Sequence, residues 1–196
     1  SNLDFLKQLR ALCDRESLLL MCDEVQCGYG RPGTLFAFER AGITPDIAAS
    51  AKGIGGGFPL GATLMTERVA AAIPAGAHGG TYNNNPLAMA VGNAVLDLML
   101  EPGCFDHVAQ MGDYLQAGLR KLQAAHPDKI ADVRGVGLMI GLEPMGDARA
   151  LAAVMLARGL VTSPTVTNVI RLVPPLIITE AHVAEALGVI ESAIKE

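Results

Sequence analysis

Leu18-Leu19-Leu20-Met21-Cys22-Asp23-Glu24-Val25-Gln26-Cys27-Gly28-Tyr29-Gly30 runs from an unbroken apolar segment into an acidic pair and then into glycine. Residues 18–22 show no polar alternation, which predicts a strand apolar on both faces, as in a parallel sheet covered by helices on both sides. A second apolar run, Ile47-Ala48-Ala49-Ser50-Ala51, ends on Lys52, just before Gly53-Ile54-Gly55-Gly56-Gly57-Phe58-Pro59. An acid, Asp23, and an amine, Lys52, therefore leave the ends of two buried strands. Open α/β sheets bind ligands outside such strand ends.

Outward from that pair, the pattern reads as alternating strands and helices. Asn2 or Asp4 caps a first helix whose apolar face is Leu3, Leu6, Leu9, Leu12 and Cys13. Residues 28–34 form a loop with three glycines and a proline. Residues 35–41 read as a short helix, 61–66 as a third strand and 67–73 as another short helix. A polar loop at 76–85 precedes Pro86, which opens a helix reaching about residue 100. Pro102-Gly103 breaks it. Residues 105–125 form a long helix with Val108, Met111, Leu115, Leu119 and Leu122 on one face. Strands are expected at 130–133, 137–142 and 169–172, and helices at 148–158 and 180–195, the last capped by Thr179. The fold class is α/β. Residues 1–100 read as part of a larger domain with a mostly parallel sheet, and residues 101–196 as a linker helix and a small α+β domain.

The chain has 196 residues, is 51% hydrophobic and only 18% charged, so a sizeable core is expected, aliphatic because aromatics make up 4%. A net charge of −5 without a basic block argues against nucleic acid or an anionic membrane as partner. No apolar run reaches membrane-spanning length, and no leader pattern opens the chain. The four cysteines lack zinc-ligand spacing and read as reduced thiols, which with the rest points to the cytoplasm. The chain starts without methionine and almost directly in a helical pattern, which predicts a piece of a longer protein.

Four residues stand out for chemistry. Asp23 serves equally well as a strand-end salt bridge or cap and as a ligand-binding carboxylate. Lys52, flanked by an apolar strand and glycines, is expected to be partly buried, which suits an amine nucleophile. Its alternative is an ordinary solvated lysine. Thr81, ahead of the helix opened by Pro86, suits an anion, whereas Asn84 or Asn85 reads as an ordinary helix cap. Arg171, inside the apolar run Val169-Ile170-Arg171-Leu172-Val173, needs a carboxylate, and spacing alone slightly favours an internal one. His78 reads as an exposed loop residue, and Arg31 and Arg134 as structural. No residue set has metal-ligand spacing.

Together these segments are more specific than any of them alone. Residues 20–33, Thr44-Pro45-Asp46-Ile47 leading to Ala51-Lys52-Gly53, and His78-Gly79-Gly80-Thr81-Tyr82 with Asn85-Pro86 resemble the class III aminotransferases. Arg134-Gly135-Val136-Gly137 and Ile170-Arg171-Leu172-Val173-Pro174-Pro175 are similar to the acetylornithine and ornithine branch, in its C-terminal half. The resemblance implies a fold type I large domain and pyridoxal 5′-phosphate (PLP) as cofactor. It implies that Asp23 pairs with the ring nitrogen, Val25 packs on the ring, Gln26 bonds the ring oxygen and Lys52 is the catalytic, cofactor-bearing residue. Thr81 would bind the phosphate of the neighbouring subunit in a homodimer. Arg171 would clamp a substrate carboxylate, which reverses the preference for an internal partner.

The implied reaction is transamination between N-acetylornithine and 2-oxoglutarate in arginine biosynthesis. Ornithine, succinylornithine and 4-aminobutyrate are the alternative amino donors, and an inactive isolated piece is the alternative of another class. The family carries roughly as much chain again ahead of this start, including a phosphate-binding turn, a ring-stacking aromatic and a substrate-gating Glu. Cys27 stands where a Thr or Ser is usual, and Asn83-Asn84 replaces glycines. A nucleotide-binding reading of residues 53–57 fails, since no G-x-G-x-x-G or P-loop follows a strand.

Overall fold

The computed structural model describes residues 2–196, which form two compact units, the first reaching Cys104 and the second Phe105–Glu196. The first opens with α1 (Leu3–Arg15), capped by Asn2, whose Oδ1 accepts the Asp4 N–H at 2.9 Å. Of the expected apolar face, Cys13 is buried, Leu3, Leu6 and Leu9 are half-buried, and Leu12 is exposed. Three short strands follow, β1 (Met21–Asp23), β2 (Ile47–Ser50) and β3 (Ala62–Met65), in spatial order β1-β2-β3.

β1 and β2 are parallel, with Asp23 opposite Ala49, but β3 returns antiparallel to β2. The sheet is therefore mixed rather than mostly parallel. A parallel return needs a crossover of about a dozen residues or more, usually helical. The connection at 51–61 holds only a 3₁₀ turn, Lys52–Gly55. Burial of β1 also departs from expectation. Leu20 is buried, but Leu18 is 54% and Met21 68% exposed. As an edge strand beside β2, β1 presents to solvent the side chains that a central strand would cover.

Asp46 anchors the other end of this sheet. Its carboxylate accepts the Leu20 N–H at 2.9 Å, Arg10 Nη1 at 2.8 Å and Arg68 Nη2 at 2.7 Å. These bonds tie α1, the entry to β1 and α2 (Glu67–Ala71) to the start of β2. α3 (Pro86–Met99) begins at Asn85, whose Oδ1 accepts the N–H groups of Leu87 at 2.9 Å and Ala88 at 3.5 Å. α3 packs closely on the glycine segment. A Cβ at Gly92 would lie 2.7 Å from Leu60 Cδ2, and one at Gly56 would lie 2.9 Å from Val95 Cγ2.

The second unit contains α4 (Cys104–Ala125), whose first residue closes the first unit. It continues with β4 (Ile130–Val136), β5 (Met139–Pro144), α5 (Ala148–Ala157), β6 (Ser163–Pro164), β7 (Ile170–Leu172) and α6 (Glu180–Ile194). The strands form one antiparallel sheet in the order β4-β5-β7-β6. Val133, Ile140, Leu142, Ile170 and Leu172 from this sheet join Val108, Met111, Leu115 and Leu119 of α4, with Met155, Val183 and Ile190, in one core. The two-residue strand β6 was not expected, because so short a segment carries no readable period. No single helix among the described residues is long and apolar enough to cross a membrane.

Candidate active site

Parallel pairing brings the ends of β1 and β2 to the same edge of the first sheet. Asp23 ends β1 opposite Ala49, and the ladder runs one bond further, the Glu24 N–H donating to Ala49 O at 2.8 Å. Lys52 follows the last residue of β2 by two positions. Adjacent strands lie about 4.8 Å apart, so the acid and the amine leave neighbouring positions.

The backbone turns sharply at both residues. The Val25 N–H donates to Asp23 Oδ1 at 3.0 Å, an Asx-type turn. Lys52 sits at φ +52°, the left-handed region that L-residues with a side chain rarely adopt. It opens the 3₁₀ turn that Ile54 closes by donating its N–H to Ala51 O at 3.3 Å. Strained backbone of this kind clusters at functional sites.

Asp23 and Lys52 are both exposed, which corrects the expected partial burial of Lys52. Ala51 and Gly53 carry too little side chain to cover it, and at Asp23 the edge position of β1 removes the cost of a buried charge. Neither residue joins an ion pair among the described residues. Val25 and Gln26 are half-buried within the turn that follows Asp23. A carboxylate and an amine outside ion pairs, leaving the ends of adjacent parallel strands, fit a ligand with a basic ring nitrogen and a carbonyl carbon, and PLP has both.

Thr81 and His78 are exposed in the loop ahead of α3, where Asn83 Nδ2 lies 3.5 Å from His78 Nε2. Asn85 is the ordinary cap that was expected. In the second unit, Arg171 lies in β7 between Ile170 and Leu172, both buried in the core. Register places Arg171 on the sheet's other face, beside Gly141 of β5 and Ser163 of β6. Its Nη2 donates to Ser163 Oγ at 3.0 Å. Arg134 is structural as expected, its Nη1 pairing with Asp132 and Glu143, each at 2.6 Å. Among the described residues no cluster of three His, Cys, Asp or Glu side chains could hold a metal.

Two buried acids escaped sequence reasoning, Glu24 and Asp46, at 3% and 7% exposure. Glu24 was passed over as the neighbour of Asp23. At a strand exit, however, consecutive residues point to opposite sides, so one acid of the pair had to turn inward. Asp46 carried a signal in its position between Pro45 and an apolar strand.

The sequence pattern of the family described as Aminotransferase class-III matches residues 1–194, and the chain belongs to that family. The acetylornithine aminotransferase of Mesorhizobium japonicum is 49% identical over 190 residues, which cover 97% of this chain and 48% of that protein. Acetylornithine aminotransferase 1 of Bradyrhizobium diazoefficiens is 48% identical over 96% of this chain and 47% of its own length. Among solved structures, the acetylornithine aminotransferase of Elizabethkingia anophelis superposes with a TM-score of 0.92 at 34% identity, over 99% of this chain and 50% of that one. The ornithine δ-aminotransferase of Plasmodium falciparum gives 0.90 at 28% identity, again over 99% and 50%. The chain thus spans about half the length of the curated relatives it matches.

Proposed function

We propose that this chain supplies the lysine-bearing part of a PLP-dependent aminotransferase that exchanges the amino group of N-acetylornithine with 2-oxoglutarate. One observation carries the reading: Asp23 and Lys52, neither in an ion pair among the described residues, leave adjacent parallel strands at the same edge in a chain of the aminotransferase family. Identity favours the acetylated donor over ornithine, since the Elizabethkingia acetylornithine enzyme stands at 34% and the Plasmodium ornithine enzyme at 28%.

Asp23 holds a proton at the cofactor's ring nitrogen. The Lys52 amine would hold the cofactor at its carbonyl carbon and, once the substrate amine has taken its place there, would carry the proton at the substrate carbon. Its exposure and left-handed backbone leave the amine open to a ligand from solvent. Val25 would bear on the ring face, and Gln26 would bond the ring oxygen. When bound, the cofactor supplies the electron sink for the carbon whose proton Lys52 removes. Thr81 binds the phosphate of a second copy in a homodimer, which its exposed loop leaves it free to reach. Arg171 clamps the carboxylate of the amino-acid or 2-oxo-acid substrate, with Ser163 steadying its guanidinium.

The test is to add PLP to the purified chain and record the visible absorbance of lysine-bound cofactor, then repeat with Lys52→Ala. A band in the wild type that Lys52→Ala abolishes is the expected result. A band that survives the substitution would remove Lys52 from its role.

A further inference from the structure

Glu24 follows Asp23 directly, yet Asp23 is exposed and Glu24 is 3% exposed. A carboxylate that deep needs donors. Its Oε1 accepts the Phe38 N–H at 3.0 Å, and its Oε2 accepts the Ala37 N–H at 3.0 Å and the Cys27 thiol at 3.2 Å. Ala37 and Phe38 open the 3₁₀ helix Ala37–Ala41, so both N–H groups lack partners within that helix. The backbone of Glu24 is held as firmly. Its N–H donates to Ala49 O of β2 at 2.8 Å, and its carbonyl accepts the Gly28 N–H at 3.1 Å. A Cβ at Gly28 would lie 2.9 Å from Glu24 O and 3.0 Å from Oε2, so this packing requires glycine there.

The turn from Asp23 to Gly28 is thus strung from one buried residue, fastened to β2 on one side and to the 3₁₀ helix on the other. Asp23 is bonded within that turn: its Oδ1 accepts the Val25 N–H at 3.0 Å and its carbonyl accepts the Cys27 thiol at 3.3 Å. Its orientation is as fixed as the turn is, and sites need such supporting contacts to present their side chains accurately.

We infer that Glu24 is a positioning residue for the cofactor site: by fastening the 23–28 turn to β2 and to the helix at 37–41, it sets where Asp23 and Gln26 present their side chains. The inference rests on the reading of Asp23 as the partner of the ring nitrogen. The acid is specific to the task. In glutamine, an NH₂ group would face one of the two N–H donors, and in aspartate the side chain is one methylene too short to span both anchors.

Two readouts on the 196-residue chain test it. The first is amide exchange, which needs no cofactor. Glu24→Gln lowers protection at Gly28 as well as at Ala37 or Phe38, by about ten-fold or more. Loss at Ala37 and Phe38 with Gly28 unchanged would make Glu24 a staple of the 37–41 segment alone and overturn the inference. Gly28→Ala, which disturbs the same packing from the other side, reproduces the loss and serves if Glu24→Gln does not fold. The second readout is PLP titration followed by its visible band. Glu24→Gln retains the band, weakens affinity about ten-fold, the scale on which lost supporting partners act, and shifts the pH dependence of the band. An unchanged affinity and pH profile also overturns the inference. A wild type without any band counts against the cofactor reading, while exchange at Gly28 still decides whether Glu24 holds the turn.

Discussion

Arg10 of α1 donates to Asp46 at 2.8 Å across a separation of 36 residues, joining the first helix to the residue that precedes β2. With the Leu20 N–H and Arg68 as further donors, the Asp46 carboxyl is held well below the usual carboxylate range, the Leu20 bond contributing most and burial opposing it. A carboxyl whose folded value is depressed stabilises the fold above its unfolded value of about 3.9. That contribution is lost as pH falls below this value toward the folded one. Asp46→Asn should therefore destabilise the chain by about 3 kcal/mol at neutral pH. It should also flatten the acid limb of stability between about pH 4 and pH 2. Urea melts at several pH values check both.

Lys52 adopts a backbone conformation that glycine adopts freely. Lys52→Gly should be more stable than Lys52→Ala by about 1 kcal/mol, because alanine retains the Cβ conflict. Thermal melts of the two variants decide it. Equal stabilities would mean that the turn relaxes once the lysine is gone.

Burial pushes the Cys27 thiol up to about 12, assisted by its hydrogen bond to Glu24. A raised thiol value means that the stabilisation is complete below the unfolded value of about 8.5 and fades as pH rises through the folded one. Cys27 should alkylate at least about ten-fold more slowly in the folded chain at pH 8 than in urea, since only the thiolate reacts. Peptide mapping after iodoacetamide treatment measures the ratio. Cys27→Ser, which keeps a donor, should be tolerated, whereas Cys27→Val should lose the bond to Glu24.

Arg171 lies on the sheet face opposite the core, bonded to Ser163. Arg171→Ala should change unfolding stability by less than about 1 kcal/mol. In an assay of the proposed transamination it should raise KM for the 2-oxo-acid by about ten-fold or more, the loss expected for a charge-assisted pair. An unchanged KM would return Arg171 to a structural role.

Much of this architecture was legible in the residues. The face Val108, Met111, Leu115 and Leu119 of α4 is buried as its period required, because helix spacing alone lines those positions up. The caps Asn2 and Asn85 act locally and were readable for the same reason. The antiparallel course of β3, the exposure along β1 and the two-residue strand β6 were not readable. Each depends on which strand lies alongside, and a run of apolar residues does not encode its neighbours.

The sequence by itself determined that an acid and an amine close two apolar strands, that glycine follows both, and that the pattern belongs to the aminotransferases. Only the tertiary structure decided that β1 and β2 pair in parallel, which brings Asp23 and Lys52 to one edge. It also decided which acid of the Asp23–Glu24 pair faces solvent and which is buried as a clamp. Backbone direction and side-chain burial are set by hydrogen bonds and packing between segments far apart in the chain. Ala37 and Phe38 choose the fate of Glu24, and no local pattern around Glu24 announces them.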